Sequence, residues 1–264
     1  MNMTVCKNCA NAFEGKHCPE CGQKAKTGRI TFLQVFKEFR QHLIHFETGF
    51  LFTMKELMLR PGYTIREYLE GKRVKHIKPL KFALWATAIS FVVLHFLGND
   101  KLLLQNIENN GPNSIKSQAI VQKLSAWIFN NPSILQLFII PTIAFSSWLF
   151  FRKKGYNYAE HIVISAYLLG ELSLYSMFTA PFAKWYAQQP TTLFLLSILN
   201  FGVWFAYFGW AYAQIFQPGK KLGIWIKGGL TIFLGYVLLL LAMSLMIPVM
   251  LTFFKPQIEQ WLSL

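Results

Sequence analysis

The chain is poor in charged residues, and above all in acidic ones. Asp, Glu, Lys and Arg make up 14% of its 264 residues, against about 25% in soluble domains. Only 12 residues are acidic whereas 26 are basic, so the formal net charge is +14. Hydrophobic residues reach 53%, and the mean hydropathy is +0.33. This balance excludes an ordinary soluble domain and predicts an integral membrane protein.

The sequence also lacks the catalytic motifs that can be recognised from residue spacing. It contains no phosphate-binding loop, no G-x-S-x-G elbow, no dinucleotide fingerprint and no paired acidic motif. We therefore do not expect an enzyme. Residues 1–81 hold 15 of the 26 Lys and Arg, and the others flank apolar runs. This placement suits anionic lipid headgroups and makes nucleic acid an unlikely partner.

The chain has only four cysteines, which form two C-x-x-C pairs near its start, Cys6 with Cys9 and Cys18 with Cys21. Two such turns can direct four thiolates at one ion and close a tetrahedral shell, which predicts a structural Zn2+ site. The polar first twenty residues do not form a secretory signal, so we expect them in the reducing cytoplasm, where thiols bind metal. A redox dithiol pair or a disulfide is the less favoured alternative.

Five apolar stretches have the length of about 20 residues that a transmembrane helix needs. They are Leu80–Gly98, Ile134–Phe151, Ile162–Phe182, Leu193–Phe216 and Leu230–Phe254. With these spans, 21 of the 26 Lys and Arg lie on the side of the N-terminus. The positive-inside rule then places the N-terminus in the cytoplasm and the C-terminus in the periplasm. The predicted fold is an all-α polytopic membrane protein with five transmembrane helices and a small N-terminal zinc ribbon.

Three cytoplasmic helices are expected between the ribbon and the first span. Thr31–Phe46 has one apolar stripe, which suits a helix lying in the headgroup region or packed on the protein's own bundle. A second helix, Phe50–Leu59, is expected to end before Pro61. The spacing of Thr64 and Glu67 predicts a capping box that starts the third. The domain boundaries that follow are 1–28 for the zinc ribbon, 29–79 for these helices and 80–264 for the five-helix transmembrane domain.

A basic segment connects the third helix to the first span. Its candidate contacts with anionic lipid are Lys72, Arg73, Lys75, Lys78 and Lys81. The simpler interpretation is that these charges only fix the topology.

Two motifs carry a resemblance to a known family. The first runs from Cys6 to Gln23 as C-x-N-C and C-P-x-C-G-Q, and the second from Arg60 to Arg73 as R-P-G-x-x-I-R-E-Y-x-x-G-K-R. Together they resemble an uncharacterised bacterial membrane-protein family, a domain of unknown function with an N-terminal zinc ribbon and several spans. The resemblance implies zinc binding and residence in the bacterial inner membrane, but no activity. The five-span layout is also similar to that of Yip1-type membrane proteins, at the level of fold only.

Glu171 is the one acidic residue within the predicted spans, and Tyr167 and Tyr175 lie one turn away on the same helix face. Because an isolated carboxylate in hydrocarbon is costly, the group is protonated, hydrogen-bonded or facing water. One interpretation is an ion, proton or polar-substrate site. The other is a neutral carboxyl that hydrogen-bonds to a tyrosine or a neighbouring helix.

Small residues four apart in the fourth span allow close helix contact, either within the bundle or in a homodimer. They are Gly202 with Ala206 and Gly209 with Ala213.

Two functions follow from these features. The first is a membrane-anchored interaction or scaffold protein whose cytoplasmic zinc site helps to dock a protein partner, and the sequence narrowly favours it. The alternative is a transporter or lipid-handling protein that uses Glu171. The sequence identifies neither the partner nor the substrate.

Overall fold

The computed structural model describes residues 3–35, 49–98, 123, 126–127, 130–186, 190–217 and 221–253. The chain begins with a two-stranded antiparallel sheet, β1 (Thr4–Val5) and β2 (Ala12–Phe13), in which Thr4 pairs with Phe13. Helices form nearly all the other regular structure of the described residues. Most of the predicted helix Thr31–Phe46 lies outside the described residues, which include only its start at 31–35.

Two short helices, α1 (Gly49–Leu59) and α2 (Pro61–Glu70), precede the spans. The prediction that the latter helix starts at a Thr64 capping box is wrong. The helix starts at Pro61 instead. Proline is tolerated at the first helical position because the N–H of that residue would have no partner within the helix. Thr64 instead lies inside α2, where its hydroxyl donates to the carbonyl oxygen of Arg60 at 3.0 Å. The left-handed Gly71, with φ of 114°, ends the helix as expected.

Five long helices follow, and each contains a segment long and apolar enough to cross a membrane. They are α3 (Pro79–Phe96), α4 (Pro132–Phe151), α5 (Tyr158–Tyr186), α6 (Pro190–Ile215) and α7 (Lys221–Phe253). Among the described residues, a candidate membrane-spanning helix therefore overlaps each of the five predicted spans, which is the architecture of an integral membrane protein.

Helix α7 begins nine residues before the span predicted from hydropathy, because glycines that weaken an isolated helix are needed for packing here. A Cβ on Gly228 would lie 3.1 Å from the Cα of Gly209, so the backbones of α6 and α7 are in close contact. Gly209 thus serves packing within the bundle, whereas Gly202 has open space where a Cβ would lie.

Helix α5 is the most buried of the five spans and packs against both α3 and α4. Gly170 allows the close approach of α3, since a Cβ there would lie 2.9 Å from the Cα of Ala83. Helix α7 packs on α4 and α6, and α2 lies against α6.

The core also holds a polar chain, in which Tyr212 donates to Ser147 at 2.6 Å and Ser147 lies 2.6 Å from Nδ1 of His161.

Candidate metal centre and membrane groove

The four cysteine sulfurs converge at one end of the small sheet. All four lie within 4.8 Å of one another, and the Cys6–Cys21 and Cys9–Cys18 pairs are each 3.5 Å apart. A tetrahedral ion with metal–sulfur bonds of about 2.3 Å separates its ligands by about 3.8 Å. The arrangement therefore fits a single metal ion held by four thiolates.

The two C-x-x-C turns have the same backbone hydrogen bonds. The N–H of Ala10 donates to the carbonyl of Cys6, and the N–H of Gly22 donates to the carbonyl of Cys18, both at 2.9 Å. The residue after each pair is left-handed, with φ of 62° at Ala10 and 74° at Gly22. Glycine adopts this conformation freely and alanine does not, so the first turn carries strain that the second avoids.

The thiols of the first pair, Cys6 and Cys9, differ in how readily they ionise. Burial opposes ionisation of Cys6, but backbone hydrogen bonds at Cys9 and Asn8, helped by the Cys21 thiol, lower its pKa to about 7. At Cys9 a backbone hydrogen bond from Asn11 favours the thiolate, but burial and the other sulfurs outweigh it and raise the pKa to about 12. A bound ion must therefore displace protons from the less acidic thiols.

The segment that carries the small sheet and the four cysteines, residues 3–28, is called the metal module below. It docks on the C-terminal end of α2 through Gln23. The buried side chain of Gln23 donates to the carbonyl oxygen of Gly71 at 2.9 Å and accepts from the N–H of Arg73 at 3.4 Å. The Arg73 guanidinium donates to the carbonyl oxygens of Gly28 at 3.0 Å and Tyr68 at 3.1 Å. The two motifs that carry the family resemblance are therefore in direct contact.

A second contact joins the segment after the metal module to the start of α5. The guanidinium of Arg29 donates to both carboxylate oxygens of Glu160, at 2.7 and 3.1 Å. Glu160 is buried and also accepts from the N–H of Asn157, whose side chain donates to the carbonyl oxygen of Ile30 at 3.0 Å. This pairing raises the pKa of Arg29 through its hydrogen bonds and charge interaction with Glu160.

The N-terminal end of α2 is capped by a span. The side-chain oxygen of Gln214 in α6 accepts from the N–H of Gly62 at 2.9 Å and from that of Tyr63 at 3.4 Å. A Cβ on Gly62 would lie 2.2 Å from the carbonyl oxygen of Ala211, so only glycine fits. Helix α2 thus contacts the metal module at one end and the membrane bundle at the other.

The five basic candidates for lipid contact lie in different environments. Lys75 is exposed and Lys78 is half-buried. Arg73 is engaged with the metal module, and Lys72 lies 3.4 Å from Glu67. Lys81 is buried at the start of α3.

Glu171 lies at the floor of an apolar groove of about 220 Å³ between α1, α5 and α6. Its side chain is buried, and its Oε2 atom has no hydrogen-bond partner among the described residues. The groove opens to the surface, because Phe178 and Met58 at its rim are 66% and 50% exposed.

The two tyrosines near Glu171 lie in different surroundings. Tyr175 lines the groove. The hydroxyl of Tyr167 donates to the carbonyl oxygen of Ile77 at 2.6 Å, while the N–H of Ile77 donates to Thr53 at 3.1 Å. Tyr167 therefore holds the segment before α3 against α5.

Sequence reasoning missed the other groove residues, which come from helices far apart in the chain. Met54 and Met58 of α1 and Val203 and Tyr207 of α6 complete its walls. The hydroxyl of Tyr207 donates to the carbonyl oxygen of Leu57 at 3.2 Å, which holds α1 against α6. In the sequence, the apolar residues of α1 are the feature that could have indicated this groove. They do not show which spans the helix contacts.

In comparisons with known proteins, one family profile matches part of the chain. A profile described as a protein of unknown function (DUF3667) matches residues 47–91, which include α1, α2 and the first part of α3. No curated protein and no solved structure matches the chain. The similarity covers the second motif and not the cysteines, and it assigns no activity.

Proposed function

We propose that this chain is a membrane-embedded binding protein for an amphiphile, with a structural zinc ion that stabilises its cytoplasmic face. The groove carries the proposal, because the buried Glu171 is unpartnered among the described residues while the rim is exposed. A polar group in an apolar groove that opens toward lipid suits a ligand with a polar end and an apolar body. This extends the lipid-handling alternative drawn from the sequence.

Zinc is the ion that four thiolates in a tetrahedron fit best. A closed four-sulfur shell leaves no position for water or substrate, so the ion is structural. A module of this size cannot bury enough apolar surface to fold alone, and metal binding supplies the missing free energy. The contacts of Gln23 and Arg29 then fix the module on α2 and α5.

The basic residues support a cytoplasmic position for the metal module. Lys75 is exposed and Lys78 half-buried next to the first span, where anionic headgroups of the inner leaflet attract positive charge. The wider excess of Lys and Arg on this side follows the positive-inside rule. The membrane proposed from this charge pattern and from the family resemblance is the bacterial inner membrane.

A photoreactive probe tests the groove directly. The protein in liposomes is mixed with a single-chain amphiphile that carries a diazirine in its chain, irradiated and digested. We expect peptides containing Met54, Met58 and Phe178 to be labelled more strongly than the peptide containing Leu240, which is exposed on α7 and reports simple bilayer contact.

The Val203→Trp variant supplies the matched control, since the larger side chain fills the groove from α6. It should reduce labelling of the groove peptides to the level of the Leu240 peptide. Equal labelling of groove and Leu240 peptides in the unmodified protein would reject the proposal.

A docking role for the zinc module is a second candidate, favoured by two exposed apolar side chains. Met3, which precedes β1, and Val5 in β1 are 72% and 64% exposed. A Met3→Ser, Val5→Ser double variant should then migrate as a smaller particle than the unmodified protein in native gels of membrane extracts. Identical migration would remove this candidate.

A further inference from the structure

The groove has a single acidic side chain among its described lining residues. Glu171 supplies a buried carboxyl with a free oxygen, and the described residues that line the groove include no basic side chain. The other polar atoms of the described lining side chains are the hydroxyls of Tyr175 and Tyr207, and that of Tyr207 is already donated to Leu57. A ligand that enters therefore meets one unsatisfied acid and little else that is polar.

The walls of the groove suit an apolar body with a diffuse positive charge. Phe178, Tyr175 and Tyr207 contribute aromatic rings, and Met54 and Met58 contribute flexible apolar side chains. Aromatic faces attract cations, most strongly when water is excluded. Methionine adapts its shape to different apolar ligands.

The same features disfavour an anionic headgroup at the floor of the groove. A phosphate beside Glu171 would place two acids together in an apolar surrounding, without a basic residue of the described lining to compensate. Burial of an unpaired charge is costly, whereas an ion pair with hydrogen bonds reduces that cost.

We infer that the groove selects a lipophilic cation, an amphiphile whose polar end is an ammonium group seated against the Glu171 carboxylate. This inference rests on the proposed amphiphile site and adds the charge of its ligand. The apolar chain of the ligand leaves past Phe178 and Met58, the exposed residues of the rim. Binding brings the two opposite charges together in the apolar groove.

A matched pair of probes tests the charge alone. One is tritiated hexadecyltrimethylammonium, and the other is the same chain ending in an uncharged tert-butyl group of equal shape. Binding is measured to the full-length protein in nanodiscs of zwitterionic lipid, with empty nanodiscs subtracted for partitioning. We expect about tenfold tighter binding of the cation, because its charge attracts the Glu171 carboxylate in an apolar surrounding and the aromatic rings of the groove also favour a cation.

Two variants identify the source of this preference. Glu171→Gln keeps the size of the side chain but removes its charge, and it should bring the two probes to equal affinity. Val203→Trp fills the groove away from the carboxyl and should weaken binding of both probes. Thermal unfolding and metal content show whether each variant is folded. If Glu171→Gln does not fold, the cation preference of the unmodified protein, together with weaker binding of both probes to Val203→Trp, decides the question.

The outcomes separate the inference from the function on which it rests. If both probes bind equally well to the unmodified protein, or if Glu171→Gln keeps the preference, the cation inference is wrong and the amphiphile site stands. If neither probe binds above empty nanodiscs, the amphiphile site itself is rejected.

Discussion

The side-chain amide of Gln23 donates a 2.9 Å hydrogen bond to the carbonyl oxygen of Gly71, 48 residues further along the chain. Gln23 follows the second cysteine pair, and Gly71 is the left-handed residue that ends α2. This bond, with that from the N–H of Arg73, connects the metal module to a helix whose other end is capped by Gln214 of α6. The module is therefore an attached part of the membrane domain.

Replacement of Gln23 by Ala should detach the metal module without removing its metal. The change leaves the carbonyl of Gly71 and the N–H of Arg73 unpaired, at a cost of about 1–3 kcal/mol. The backbone carbonyl of residue 23, which accepts from Cys18, is unaffected. Limited trypsin digestion should cut faster at Lys24 and Lys26 at unchanged metal content.

Glu20→Ala is the control for this experiment, because Glu20 is exposed on the same module. It should leave the digestion rate as it is in the unmodified protein. An unchanged digestion rate in Gln23→Ala would show that the side chain does not act as a docking contact.

The two metal turns should respond oppositely to exchanges between alanine and glycine. Ala10 and Gly22 occupy equivalent left-handed positions, so Ala10→Gly relieves strain and Gly22→Ala introduces it, each by about 1 kcal/mol. Because metal binding and folding of the module are linked, zinc affinity should rise about fivefold in the first variant and fall about fivefold in the second. Competition with a chromogenic chelator measures both, and changes of the same sign would contradict the equivalence of the turns.

The contact of α2 with α6 should be intolerant of a single methyl group. In Gly62→Ala the added carbon would lie 2.2 Å from the carbonyl oxygen of Ala211, and overpacking of this kind costs about 2 kcal/mol or more. The expected result is a clearly lower thermal unfolding midpoint in detergent. Gly28→Ala is the matched control, since nothing lies within 4 Å of its added Cβ, and an equal effect of both changes would refute the close contact.

Local sequence patterns predicted the membrane-spanning helices and the convergence of the four cysteines, because hydropathy and cysteine spacing are properties of neighbouring residues. The span predicted from hydropathy starts at Leu230, nine residues after the start of α7, and the contact of Gly228 with Gly209 in this first part of the helix joins two different helices. The start of α2 was missed for a similar reason. Its cap is Gln214, 152 residues from Gly62, and no local rule identifies such a partner.

The surroundings of Glu171 could be predicted only in part. The i, i+4 spacing correctly places Tyr167 and Tyr175 one turn from it, but it does not determine which group each hydroxyl meets. The hydroxyl of Tyr167 donates to the carbonyl oxygen of Ile77, which lies in the segment before α3 and not in α5. The groove itself exists because α1 lies beside α5 and α6, and that arrangement depends on contacts between distant segments.

We predict that metal binding and the attachment of the metal module to α2 form one structural unit, and hydrogen exchange at a single amide tests this most directly. The N–H of Arg73 is bonded to the side chain of Gln23, so its protection depends on the docked module. Removal of the metal by a chelator should speed exchange of Arg73 together with that of Cys18 and Gly22, while the amide of Leu172 in α5 stays protected. Faster exchange in the cysteine turns with unchanged exchange at Arg73 would contradict the claim.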